Sequence, residues 1–303
     1  MCSDDSDELK DLMVKEFTLS GKEAERVRNA EALLASIGIT LPPTGRFSKY
    51  AQIIRKWADA AAAGQREGVF GAELGVALEE MKDICLVIEE FVSLAEDPSI
   101  HQRLREVVRK GAFLSNEERA QTRARDFQWE MTLAAVFMRL GLATELIDPP
   151  DLVVHCNGHK LAVAAKRPKS QNVHGVLACV QRGANQLVKF GLPGFLAVDL
   201  SVVAGLDNRP IVMDSHAEAD RYLEYLGLLG TKQIMDPLNT SYRPPNLLGV
   251  MVRVRHTYVD KGTKEICTQS IWPCITFDSD EYGANLMSAL GDHLYSHMSS
   301  LVA

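Results

Sequence analysis

Within residues 149–170, PPDLVVHCNGHKLAVAAKRPKS, three positions have the order and spacing to serve phosphoryl chemistry: an acid, Asp151; position 164, which holds Ala164; and Lys166, which emerges from an apolar run. Asn157-Gly158 is the strongest hairpin signal in the chain, because both central residues of a type I′ turn take positive φ. With the turn there, Cys156 faces His159, Val154 faces Leu161, and Asp151 falls opposite position 164. Directly opposed side chains start about 5 Å apart at Cβ. Two carboxylates so placed could hold one Mg²⁺ through oxygen, with waters retained. The ion would lower the pKa of an attacking water and offset charge on a phosphate. Lys166 shares a face with Ala162 and Ala164, where it could orient that water or stabilise a developing oxyanion.

Asp151, position 164 and Lys166, in a hairpin that follows a helix, resemble the PD-(D/E)XK nuclease superfamily, the restriction-endonuclease-like fold. PPD at 149–151 is similar to the first half of its motif, and AAK at 164–166 stands where the (D/E)XK half belongs. The resemblance covers roughly residues 120–205. It implies a DNA endonuclease dependent on Mg²⁺ or Mn²⁺, of the kind found in restriction or anti-phage defence, with RNA as the other possible substrate. It also implies an acid on the preceding helix, for which RDFQWEMTLAAVFMRLGL offers Glu130, and a polar residue on a later helix, for which Gln181 and Gln186 are available. The implied catalytic set is Asp151, position 164, Lys166 and Glu130. The departure is Ala164, which brings no oxygen ligand, so a metal would rest on Asp151, the Ala165 carbonyl and Glu130. Two explanations follow: an acid changed to alanine, leaving an inactive form of a nuclease, or a natural pseudo-nuclease that binds nucleic acid or protein without cutting.

Arg167, Lys169, Arg182 and Lys189 are expected on a basic face, with Arg167, Lys169, Arg182 and Gln186 as candidate nucleic-acid contacts. Residues 121–190 hold nine Lys or Arg against five Asp or Glu, a basic stretch in a chain of net charge −7, so a local patch rather than an overall coat would meet a polyanion. His155 and His159 flank the turn without facing each other, which argues against their ligating a metal together; His174 stands apart from them. Asp199 lies in a strand-like run and is expected to make a structural hydrogen bond. Arg253 and Arg255, in RVRHTYV, are expected to share an exposed sheet face, with a nucleic-acid contact as the alternative.

The elements that must position these residues divide into two stretches. Up to about residue 120 the signals are helical: SGKE at 20–23 and SNEE at 115–118 read as capping boxes, and apolar residues recur at three- and four-residue spacing in KYAQIIRKWADAAAA and GAELGVALEEMKDICLVIEEF. Beyond it, β-branched runs such as KLAVAA, GFLAVDLSVV and LLGVMVRVRHTYV alternate with helical ones such as VLACVQRGANQLVKFG. That alternation predicts an α/β (α+β) domain with a mixed sheet over 120–303, after a helical region over 1–119. The helical region would serve recognition, homo-oligomerisation or a protein partner. Hydrophobic content of 46% and charged content of 24% fit a globular chain with a sizeable core. No apolar run is long enough for a bilayer, and the acidic start MCSDDSDELKD lacks a signal-peptide core, so a cytoplasmic chain is expected. Six scattered cysteines form no CxxC pair, a spacing that argues against a zinc site.

Overall fold

The computed structural model describes residues 21–64, 72–109, 123–169, 172–201, 203, 211–240, 244–263, 266–272, 274–277, 283, 285–286 and 288–290. The capping box at 115–118 and the first residue of the one at 20–23 lie outside these. The architecture is mixed α/β, with a helical N-terminal region and a mixed sheet flanked by helices. Contacts group the chain into two compact units. One contains residues 1–125, 207–222 and 255–269, and the other 126–206, 223–254 and 270–303.

In the first unit, α1 (Gly21–Ser36), α2 (Arg46–Ala62) and α4 (Pro98–Arg109) each pack on α3 (Ala72–Phe91). Their apolar stripes bury Val27, Leu34, Phe47, Tyr50, Ile54, Trp57, Ile84, Ile88 and Leu104, the periodicity that made the helices legible in the sequence. Asp97 opens α4 as its side chain accepts the Ser99 N–H at 2.7 Å. The strand β5 (Ile211–Met213) pairs in parallel with the later part of β6 (Leu247–Asp260), Ile211 against Tyr258. β7 (Ile266–Ile271) also pairs with β6.

In the second unit, α5 (Arg123–Arg139, from Asp126 onward) precedes β1 (Ala143–Leu146), β2 (Leu152–Cys156) and β3 (His159–Lys166), an antiparallel meander. α6 (Val173–Phe190) then crosses to β4 (Gly194–Asp199), parallel to β3, and residues 247–254 of β6 lie parallel to β4. β8 (Cys274–Thr276) closes antiparallel to β6. The face of β3 and β4 that carries Ala162, Ala164, Leu196 and Val198 packs against Val176, Val180, Ala184 and Leu187 of α6. Leu223, Ile234 and Leu238 of α7 (His216–Thr240) join the same cluster. β7 and β8 are separate strands, divided near Trp272.

Arg253 and Arg255 do not lie on an exposed face. Every residue of β6 is buried, because the strand is paired along its length and covered on both sides. Period-two alternation signals a half-exposed strand only where one face meets water; here the polar positions point at buried acids.

Candidate functional site

The hairpin forms with the expected register: Cys156 pairs with His159, Val154 with Leu161 and Leu152 with Val163. Asn157 (φ 50°) and Gly158 (φ 79°) take the left-handed conformations that the turn requires. Extending the ladder by one pair brings Asp151 to Ala164, at the end of β3 where it enters the sheet interior beside β4.

Asp151 is 6% exposed, and its Oδ2 accepts two hydrogen bonds, from the Ala165 backbone N–H and from Lys166 Nζ, both at 2.8 Å. Lys166 Nζ also donates to the Ala165 carbonyl at 2.9 Å. Burial pushes the Asp151 carboxyl above the ordinary range, and the Lys166 charge and these hydrogen bonds pull it back. The Lys166 stem lies over α6 at Gly183, where an added Cβ would come within 2.9 Å of Lys166 Cγ and 2.7 Å of Leu196 Cδ2. A glycine there lets the stem cross the helix. Beside it, burial raises the Cys179 thiol pKa, while Arg182, hydrogen-bonded to Cys179, and Lys166 lower it.

Ala164 is fully buried and sits in the apolar cluster with Val176, Val180 and Ala184. Glu130 lies half-buried on α5. Among the described residues, no group of three or more His, Cys, Asp or Glu side chains gathers where a metal could be held. The donor set present does not fit Mg²⁺. Asp151 Oδ2 and the Ala165 carbonyl are both engaged by the Lys166 ammonium, and Ala164 supplies nothing.

The basic candidates separate. Lys169 is exposed and pairs with Asp126 at 3.1 Å, and Arg182 is exposed on α6. Arg167 is 8% exposed, so it does not belong to an exposed basic face. It follows Lys166 at the point where the chain leaves the sheet interior. Gln181 is exposed, and Gln186 is half-buried with its Oε1 shielded and making no hydrogen bond to protein. His155 bonds Glu145 at 2.6 Å and pairs across the ladder with Lys160, while His174 is exposed near the start of α6, its backbone N–H capped by Asn172. No helix among the described residues is long and apolar enough to cross a membrane.

Two buried arginine clusters were not anticipated as such. In the second unit, Asp199 Oδ2 accepts from Arg253 at 2.6 Å and its Oδ1 from Ser201. The Arg253 guanidinium lies 4.4 Å from the Trp129 ring centre and 5.4 Å from that of Trp272, and the two rings stack at 5.6 Å. In the first unit, Arg255 bonds Asp83 at 2.7 Å and Glu80 at 2.5 Å, while Arg125 and Arg46 approach Glu80 at 3.0 and 3.5 Å. The signal was present: arginines inside the apolar run LLGVMVRVRHTYV, and acids inside the apolar helix GVALEEMKDICLV, can be buried only if they meet. Comparison with protein-family models, with curated proteins and with solved structures returns no match.

Proposed function

We propose that this chain carries the frame of a Mg²⁺-dependent DNA endonuclease of the PD-(D/E)XK type and is inactive for want of the acid that Ala164 replaces. The observation that carries the reading is the joint hold on Asp151 Oδ2 by the Ala165 N–H and the Lys166 ammonium, at the strand ends where that motif would stand. In the active form, Asp151 and an acid at 164 would hold the metal, Lys166 would attend the attacking water, and Glu130 would support the site. As the chain stands, no hydrolytic step is drawn through the metal.

The test is Ala164→Glu. An added carboxylate beside Asp151 would be buried at the cost of charge repulsion, which a divalent cation would relieve. The variant is expected to melt below the unmodified chain without metal, to regain stability with Mg²⁺ or Mn²⁺, and to cut plasmid DNA in a manner abolished by Lys166→Ala. If metal leaves both melting and DNA unchanged, the nuclease frame is refuted. A second reading, a pseudo-nuclease that binds nucleic acid or a protein, is favoured by the apolar surroundings of Ala164. It predicts binding to DNA that Lys169→Glu and Arg182→Glu weaken, with no rescue of cleavage by Ala164→Glu.

A further inference from the structure

On α7, between residues 223 and 236, one side is buried and the other carries a short apolar stripe among the exposed polar residues Glu224, Lys232, Gln233 and Asp236. Leu223, Ile234 and Met235 enter the core cluster. On the opposite side Tyr225, Leu228 and Leu229 are 62%, 58% and 42% exposed, three of the six large hydrophobics that stand out in solvent among the described residues. The spacing makes them one stripe, because residues three and four apart stack on a helix face. Glu224 and Lys232, both exposed, flank that stripe on the same face. Singly exposed leucines need no explanation, but a contiguous stripe bordered by charges of opposite sign does.

The order of these residues is self-complementary. If two copies of the helix lie antiparallel across a two-fold axis near Leu228, each Glu224 meets the partner's Lys232, and the leucines of both copies meet at the axis. Tyr225 then lies along the Lys232 stem. A two-fold contact requires that one patch complement itself, and a stripe with acid at one end and base at the other satisfies this only in the antiparallel sense. A parallel pairing would set Glu224 against Glu224. We propose that the exposed face of α7 is a homodimer interface, its occupant a second copy of the same helix in antiparallel orientation. The proposal does not rest on the nuclease reading, since no residue of the stripe belongs to the Asp151–Lys166 site.

A single helix pair is a small contact, so the dissociation constant should fall on the order of micromolar. Sedimentation of the full chain between about 1 and about 100 µM, a range that brackets such a constant, is expected to show a concentration-dependent shift from monomer to dimer. Leu228→Glu should raise the dissociation constant at least about tenfold, as expected for a residue at the centre of an interface. Circular dichroism, and melting at concentrations where the chain is monomeric, should stay unchanged, because that side chain faces solvent in the single chain. Glu224→Lys and Lys232→Glu should each weaken the dimer, and the double exchange should restore it, which a dimer formed elsewhere would not do. A chain that stays monomeric throughout, as it would if the stripe served another protein, overturns the proposal. So does a dimer indifferent to Leu228→Glu, or a double exchange that fails to recover.

Discussion

Lys166 is bonded to a carboxylate buried at the entry to the sheet: the side chains of the pair are 13% and 8% exposed. Removing one partner of such a pair leaves a charge with no match, a loss of about 3 kcal/mol or more. Lys166→Met should therefore lower the urea midpoint strongly, and Asp151→Asn combined with it should return part of the loss; equal additive losses in the double variant would mean that the two do not interact. Glu79 and His256 present the opposite case, two buried groups with opposing pH linkage. Burial raises the Glu79 carboxyl from 4.5 to about 7 against the pull of Arg255, and burial lowers His256 from 6.5 to about 4. The native state holds the extra Glu79 proton between the two values, so that term weakens folding as pH rises from 4.5 to about 7. The unfolded state holds the extra His256 proton, so that term strengthens folding as pH rises from about 4 to 6.5. Each spans on the order of 3 kcal/mol. The two offset each other over most of the shared range. Relative to the unmodified chain, Glu79→Gln should make stability climb with pH across that range, and His256→Asn should make it fall, as read by urea titrations at pH 4.5, 5.5 and 6.5.

At the scale of elements, α6 earns its place at the site through a missing side chain. Gly183→Ala would gain about 1 kcal/mol of helix propensity. The new methyl would press on Leu196 and the Lys166 stem at 2.7 and 2.9 Å, and overpacking of that kind costs about 1–3 kcal/mol. A net loss of about 1 kcal/mol is expected in equilibrium denaturation, and a stabilised variant would mean that the stem moves aside freely. The hairpin was legible because local chemistry decides it: Asn157-Gly158 sets the turn, and the turn sets which residue faces which. The helices over 46–62 and 72–91 were legible from periodicity for the same reason. β6 was not, because its environment depends on strands and helices remote in sequence. An arginine in a strand reads as solvated until the acids it meets are known, and Glu79, Glu80 and Asp83 lie more than 170 residues before Arg255. Arg167 was misplaced by the same limit. Whether an oxygen stands opposite Asp151 was legible directly, since Ala164 has none.

For the whole molecule, the grouping of residues 207–222 and 255–269 with the N-terminal helices means that this unit is not a contiguous piece of chain. β6 contributes residues 255–260 to it, and with them Arg255, the group that neutralises Glu80 and Asp83. A fragment ending at residue 125 would keep the three acids of α3 and lose that arginine. It is expected to show no cooperative thermal transition, whereas one as sharp as that of the full chain would mean that Arg46 and Arg125 suffice. The aromatic stack offers a way to watch the two units separately. The chain has three tryptophans. Trp57 is buried in α2 of the unit that holds the helices, and Trp129 and Trp272 stand against Arg253 in the unit that holds the hairpin. Their emission divides by unit without any added dye. With Trp57 replaced by Phe the light comes from the hairpin unit alone, and with Trp129 and Trp272 replaced it comes from the helical one, so the order in which the two lose structure can be read as colour.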